Sequence, residues 1–450
     1  MSGAGASRAS GAPGDGGAAE LLARHRQVLP EWIALYYKEP IELVRAEGTR
    51  VWDGAGNEYL DFFGGIVTTI SGHVVEQLVR TLTEQAERIA HTSTLYLIRP
   101  MVELAERLTK LAPIDSPSGV KAFFVGSGTE AIEAALLFAT SWRRSNEIIA
   151  LRNSYHGRSF GAVGITGNKG WSATSFSPLN VSYALAPYCY RCPLGLKYPD
   201  CGVACAEDLR NVIETTTTGE PGAMIAEPIQ GVGGFVTPPP EYFQIAKGIL
   251  DEFGIPFIAD EVQTGFGRTG EAYWGIESYG VQADAMVCAK GLGNGMAIGA
   301  VVSRADMMDS LRANSISTFG GNPLASTYAL ANLDYIEENE LQHNAQRVGK
   351  YLFDGLKELE DRYDVVGEVR GKGLMIGVEM VKDGETKEPH PDGAVQVLEA
   401  CKEQGLLIGK GGLYGNTLRL APPLIVTEED AARAIETLDV AFGRVQGGVS

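Results

Sequence analysis

Between about residues 76 and 335, short apolar runs alternate with longer stretches whose apolar side chains recur at helical spacing. The runs are KAFFVG (121–126), EIIALR (147–152), AMIAEP (223–228), IPFIAD (255–260) and AMVCAK (285–290). Each is apolar on successive residues rather than on alternate ones, as expected of a strand covered on both faces. Such strands separated by amphipathic helices predict an α/β fold, a parallel sheet with helices on both sides. Near residue 335 the pattern changes. LANLDYIEENELQHNAQRVGKYLFDGLKELEDRY (330–363) is charged and amphipathic, one long helical stretch, and GKGLMIGVEM (371–380) is strand-like and punctuated by glycine. This part predicts a smaller α+β lobe. Upstream, RVWDGAGNEYLDF (50–62) reads as a hairpin that turns at Gly54–Asn57. The predicted organisation is a disordered tail at 1–18, an N-terminal segment at 19–75 that packs with the small domain, a large domain at 76–335, and a C-terminal small domain at 336–450. No repeat of solenoid period interrupts it.

Composition narrows the functions. The 450 residues suffice for two or three domains and a large core. There are 38 basic and 56 acidic residues, net −18, which argues against nucleic acid or an anionic membrane as partner. No stretch approaches the roughly 20 apolar residues that span a bilayer. The tail is mostly Gly, Ala and Ser with one arginine, Arg8, too polar for a signal peptide and too poor in arginine for a transit peptide. A cytoplasmic protein is expected. Four of the six cysteines cluster as Cys189, Cys192, Cys201 and Cys205. Their C-x2-C and C-x3-C spacing resembles a structural zinc knuckle, although the gap between the pairs is short. The alternative is a set of reduced thiols in a surface excursion, with no metal in the chemistry.

Ligands of open α/β sheets sit beyond the carboxyl ends of the strands, so the residues there carry the candidate chemistry. The first run leads into Ser127, Gly128 and Thr129 at the start of a strongly helical segment. Small residues at a helix N-terminus present free N–H groups to a phosphate, and the same residues also suit a plain N-cap with Glu130 in the first turn. The second run leads into NSYHGRS, which places Tyr155, His156 and Arg158 around Gly157: an aromatic to stack on a flat ring and a guanidinium to grip a carboxylate. The fourth ends in Asp260 and Glu261, followed by Val262 and Gln263. Adjacent residues of an extended chain face opposite ways, so Asp260 is assigned to the ligand side and Glu261 to a structural role. The fifth delivers Lys290, followed by GLGNG. A lysine at the end of a buried strand is costly unless it is used. Phosphate cup, aromatic plate, carboxylate and lysine are together the groups that pyridoxal 5'-phosphate requires.

The segments NSYHGRS, EPIQGVGGF, IADEVQTGFGRTG, AKGLGNGMAIGAVV and STFGGNPLA, in that order, resemble the class III (ω-amino acid type) aminotransferases of fold type I, over about residues 30–440. The resemblance implies a fold type I pyridoxal-phosphate-dependent transferase, a mostly parallel sheet flanked by helices plus a small domain from both chain ends. It implies that Lys290 forms the Schiff base and that Asp260 pairs with the pyridine nitrogen, with His156 among the cofactor-binding residues. Val262 and Tyr155 would cover the two ring faces, with Gln263 near the ring hydroxyl and Gly128 and Thr129 on the phosphate. Thr318 would reach the phosphate of a neighbouring subunit, which implies a homodimer with shared active sites, or a tetramer of the same units. Arg419, in TLRLAPPL, would take the substrate α-carboxylate, Arg158 a distal carboxylate, and Glu227 would support the pocket by hydrogen bonding. Ile66 and Val67, with Tyr36 and Tyr37, would line the substrate entrance.

One position departs from part of that family. Where the 4-aminobutyrate and ornithine enzymes carry a glutamate that pairs with the α-carboxylate arginine, this chain has Val232. Arg419 is then left unmasked, which favours substrates with an α-carboxylate. The stretch from Tyr36 to Val67 is similar to the alanine–glyoxylate aminotransferase 2 branch, whereas CYRCPLGLKYPDC is similar to bacterial and archaeal members, some of them racemases. The expected activity is therefore ping-pong transfer of an amino group from an ω- or α-amino acid to a 2-oxo acid, with pyruvate or glyoxylate favoured over 2-oxoglutarate. The alternative is an amino-acid racemase or epimerase on the same scaffold. A pyridoxal-phosphate-binding regulator would require a basic DNA-binding module, which this acidic chain lacks.

Overall fold

A computed structural model describes residues 17–172 and 176–448. The tail expected at 1–18 lies outside the described residues except for Gly17 and Ala18, which open a helix, Gly17–Val28. Seven strands form the central sheet, in the spatial order Val120–Val125, Gly299–Arg304, Ala285–Cys288, Phe257–Asp260, Ala223–Ala226, Glu147–Leu151 and Asn180–Ala184. All five runs expected as strands are in it. The inner pairings from Asn180–Ala184 to Ala285–Cys288 are parallel. Gly299–Arg304 is antiparallel to both its neighbours, so the sheet is mixed rather than uniform.

Burial on both faces follows residue by residue. Ile148 and Ala150, Ala223 and Ile225, Ile258, and Ala285 and Val287 pack on one side, against helix Gly128–Arg143. Their chain neighbours Ile149, Leu151, Met224, Ala226, Phe257, Ala259 and Met286 pack on the other, against helices Ala204–Thr216 and Tyr242–Phe253. This period of two, apolar on both sides, is why the strands read as continuous hydrophobic runs.

The chain ends form two further four-stranded sheets. The hairpin of Arg50–Asp53 and Glu58–Asp61 closes where Asp53 Oδ1 accepts from Ala55 N and Asn57 N at 3.0 and 2.9 Å, an Asx-type turn. Its second strand pairs in parallel with Leu406–Leu407, which ties the N-terminal segment to the C-terminal lobe. In the other sheet Val366–Lys372, Met375–Met380, Thr417–Leu420 and Gly409–Gly411 lie side by side, all antiparallel. The single helix expected at 330–363 is two, Pro323–Glu338 and Leu341–Arg362, because Glu340 adopts φ 49° and turns the chain between them. A boundary at 335/336 therefore falls inside the first of these helices. Among the described residues no helix is long and apolar enough to cross a membrane. All six cysteines are free, and Cys189, Cys192, Cys201 and Cys205 line one cavity of about 20 Å3. Among the described residues no three His, Cys, Asp or Glu side chains are placed to hold a metal ion. Burial foremost, and then the other thiols, push Cys189 and Cys205 up to about 11.

Candidate active site

The carboxyl ends of the central strands open onto a cavity of about 350 Å3. Lys290 lines it two residues beyond Ala285–Cys288, in the left-handed region at φ 42°. That backbone is strained for a non-glycine residue and is held from outside. Asn332 Nδ2 donates to Gly291 O and Leu292 O at 2.8 and 3.2 Å, and Asn294 bridges to Ser71 N and Gly72 O at 2.9 and 3.0 Å. Burial pushes the Lys290 ammonium down to about 8; Asp260 opposes that shift and the Arg419 charge adds to it.

Asp260 ends strand Phe257–Asp260 at 4% exposure, inside the same cavity. Its Oδ2 lies 2.7 Å from His156 Nδ1, and its Oδ1 accepts from Val262 N at 3.1 Å. Both oxygens are thereby fixed. Glu261 faces the other way, as expected. It is fully buried and accepts from Thr264 Oγ1, from Gly275 N at 2.9 Å and from Ile276 N at 2.7 Å. Burial raises its carboxyl to about 7 despite those donors.

Glu227 follows strand Ala223–Ala226 and braces two loops at once. Its oxygens accept from Tyr155 N at 2.9 Å and Gly231 N at 2.8 Å. Burial pushes its carboxyl up, with His156 opposing and Asp260 adding to the shift. The ring of Tyr155 lies edge-on to Trp171, centroids 5.5 Å apart. Val262 and Gln263 complete this wall.

At the opposite wall, helix Gly128–Arg143 starts with Ser127 as its N-cap, the Oγ accepting from Glu130 N at 3.3 Å. The N-cap reading and the cup reading therefore both describe this turn. Gly128 N and Thr129 N precede the first intrahelical bond, Ala131 N to Ser127 O at 3.0 Å, and lie where a helix offers N–H groups to an anion. A Cβ at Gly128 would stand 3.2 Å from Ala289 Cβ and 3.5 Å from Val262 Cγ1, so the floor here is bare backbone and a side chain would crowd Ala289. Gly157, at φ 126°, passes so close that a Cβ would meet Thr129 Oγ1 at 2.4 Å. The Thr129 hydroxyl instead accepts from Arg158 N and Ser159 N at 3.1 and 3.0 Å, which locks the NSYHGRS loop to the helix start.

Six expected residues do not line this cavity: Thr318, Ile66, Arg419 and, of the expected entrance, Tyr36, Tyr37 and Val67, the last buried against Ile229 and Phe235. Thr318 is exposed; its neighbour Ser317 donates to Glu130 Oε1 at 3.0 Å. Ile66 is half exposed at φ 66°. Arg419, 2% exposed, lies behind the cavity but close enough for its charge to act on Lys290. Its guanidinium is held between the rings of Phe63 and Phe235, 4.9 and 5.6 Å from their centroids. Its Nη1 donates to Gly231 O at 3.4 Å and its Nη2 lies 3.5 Å from the Tyr36 hydroxyl, while its Nε has no partner among the described residues. Arg158 sits at the exposed rim, its guanidinium 5.4 Å from the Trp32 ring. Met296–Ile298 on the cavity wall fall within AKGLGNGMAIGAVV but were given no role; the others that shape the site gave no local signal: Thr68 on the wall, Trp171 and Trp32 against its aromatic and its arginine, and Asn332 under the lysine loop.

The groups left over in this site are those a phosphorylated pyridine would use. His156 Nε2 and Gln263 Oε1 are buried without a partner among the described residues, and both belong to residues lining the cavity. Buried polar atoms are rarely left so. A lysine with a lowered pKa, a fixed carboxylate and a bare helix N-terminus around one cavity define a pyridoxal-phosphate enzyme of fold type I. Comparison with known proteins agrees. The aminotransferase class-III pattern matches residues 35–442. The chain is 38% identical over 426 residues to alanine–glyoxylate aminotransferase 2 homolog 2, mitochondrial, of Arabidopsis thaliana, covering 94% of this chain and 87% of that protein. It is 39% identical over 434 residues to the leucine/methionine racemase of Thermococcus litoralis, covering 95% and 96%. An amine transaminase from an uncultivated Pseudomonas species, solved in its PLP-bound form, superposes with a TM-score of 0.86 at 29% identity, over 93% of this chain and 98% of that one. The protein belongs to the class III aminotransferases, which act on amino acids and keto acids with pyridoxal phosphate.

Proposed function

We propose that the protein moves an amino group from an ω- or α-amino acid to a 2-oxo acid in two half-reactions, with pyruvate or glyoxylate favoured over 2-oxoglutarate as acceptor. The observation that carries this reading is Arg419, a buried guanidinium held by two rings; the family resemblance puts Val232 where some members have a glutamate partner for it. A buried cation without an anion is costly, and a substrate α-carboxylate meets that need. Arg158, the residue available for a second carboxylate, lies over Trp32 at the rim, so a dicarboxylate would have to draw it away. A panel of acceptors tests this: kcat/KM for pyruvate and glyoxylate should exceed that for 2-oxoglutarate. If 4-aminobutyrate with 2-oxoglutarate proves the best pair, the reading of Val232 and Arg419 fails.

Pyridoxal phosphate, when bound, supplies an aldehyde that condenses with amines and a ring that takes up an electron pair. Lys290 Nζ would anchor it and then serve as general base at the amino-bearing carbon of the substrate. Asp260, its two oxygens fixed by His156 and Val262 N, would hold a proton on the ring nitrogen. Tyr155 and Val262 would cover the ring faces, Gln263 the ring hydroxyl, and Ser127, Gly128 and Thr129 the phosphate. Condensation requires the neutral amine, whose fraction grows above the pKa. The rate at which apo-protein captures pyridoxal phosphate should therefore rise with pH through about 8, not near the 10.5 of an ordinary lysine. A midpoint near 10.5 in stopped-flow absorbance would contradict the buried placement of Lys290.

The 39% identity to a racemase supports a second reading, return of the proton to the opposite face of the same carbon. Incubation with a single enantiomer and no keto acid separates the two, because racemisation without keto product would favour it. We also read the protein as a cytoplasmic homodimer, or a tetramer, in which Thr318 reaches the neighbouring subunit's site and Ile66 lines the substrate entrance. Both are exposed in the single chain, and six free thiols suit a reducing compartment.

A further inference from the structure

Arg370 and Arg419 lie in one row across the C-terminal sheet. Arg370 pairs with Gly377, Gly377 pairs with Arg419, and Arg419 pairs with Gly409. The turn Gly231–Gly234 rests on this row. It is closed by Gly234 N donating to Gly231 O at 3.2 Å. Directly beneath it the sheet carries no side chain, and a Cβ on Gly377 would come within 2.7 Å of Gly234 O. One arginine holds each end. Arg370 Nε and Nη2 donate to Gly234 O at 3.0 and 2.8 Å, and Arg419 Nη1 donates to Gly231 O. The same turn presents Phe235, at φ 52°, as one of the two rings that hold the Arg419 guanidinium.

Arg370 is itself fixed from several directions. Its Nη1 donates to Glu368 at 2.7 Å and Glu379 at 2.6 Å, and its guanidinium lies 4.9 Å from the Tyr188 ring. Glu379, fully buried, also accepts from Tyr188 and from Arg191. Tyr188 and Arg191 belong to the cysteine-bearing excursion that the chemistry above leaves unused. Two arginines and two glutamates make a charge-balanced group, whose effect on the site therefore runs through geometry.

We infer that Arg370 is a positioning residue for the carboxylate-binding Arg419: by gripping Gly234 O across Gly377 it sets the turn against which Arg419 is aimed, and the Tyr188–Arg191 excursion braces that grip. This rests on the reading that Arg419 takes the substrate carboxylate. Arg370 contacts neither the cavity nor Lys290, so it should govern how well a carboxylate is held and not how fast the chemistry runs once it is held.

The test uses holoenzyme with pyruvate as acceptor and propionate, a carboxylate without a reactive group, as competitive probe. R370M should raise both the KM for pyruvate and the Ki of propionate about tenfold, with kcat within about twofold and cofactor absorbance unchanged. R370K, which can restore one of the two donations to Gly234 O, should fall between. G377A, which pushes the turn from below without touching any charge, should shift KM and Ki in the same direction and keeps the idea testable if R370M folds poorly. A fall in kcat with unchanged KM and Ki, or no effect of either variant, overturns the inference. R419M separates the two levels. If it leaves KM and Ki unchanged, the carboxylate reading itself is wrong; if it raises them while R370M and G377A do not, only the role of Arg370 is wrong.

Discussion

Replacing Lys290 with Ala is expected to lower turnover by about 10⁴-fold and to abolish the visible absorption that marks cofactor joined to the protein. General-base catalysis alone contributes about 10²–10⁴, and in the proposed mechanism the same nitrogen also anchors the cofactor. Among the described residues no other amine lines the cavity to substitute for it. The variant should fold at least as well as the parent. In the folded chain this ammonium titrates near 8 instead of 10.5, so the folded state binds its proton less readily than the unfolded one. That burden is full below pH 8 and gone above about 10.5. Ala removes it, and Tm of the cofactor-free variant at pH 7 should equal or exceed that of the cofactor-free parent. An inactive variant with unchanged or raised Tm separates lost chemistry from lost structure. Retained absorbance together with retained turnover would end the assignment of Lys290.

Asp260→Asn should be the second most damaging change, lowering kcat by about 10²–10³ with a smaller effect on KM, the range seen when one preorganised electrostatic partner is removed. Asn keeps the size and can still accept from Val262 N, so the loop after the strand should hold. What it lacks is the negative charge, and it also weakens the 2.7 Å contact with His156. A charge-assisted bond of that kind contributes about 1.5–3 kcal/mol, so a modest fall in Tm is expected as well. Single-turnover rates with the amino donor alone measure the effect without interference from product release. A rate within about threefold of the parent would remove Asp260 from the chemistry.

The parts of the fold that were legible are those dictated by local burial. Five strands showed as apolar runs because both faces of the sheet are covered, and Asp260 and Lys290 stood out because polar groups at the ends of such runs are costly. Strand Asn180–Ala184 was missed because an edge strand is half polar. Strand Gly299–Arg304 was missed because it emerges from the glycine run after Lys290 and inserts antiparallel between two strands far apart in sequence. The break at Glu340 was hidden by helix-forming residues on both sides, since the left-handed turn there falls on a glutamate and not on a glycine. Trp32 lies in no motif, and Phe63 and Phe235 lie in stretches singled out for other reasons; the role of all three is in which arginine they meet. Likewise, the grip of Arg370 on Gly234 spans 136 residues of sequence and emerges only from the fold.

The pairing of Glu58–Asp61 with Leu406–Leu407 sets an order of events during synthesis. Leu60 and Phe62, both fully buried at the end, have to wait for a partner about 350 residues downstream. At roughly 5–20 residues per second a ribosome needs about 20–70 s to make it. For that interval the hairpin presents an open strand edge beside apolar side chains, while the central sheet is completed from the chain between. Nascent protein is therefore most exposed to aggregation at its beginning, and a chain cut short before Leu406 leaves that edge open permanently.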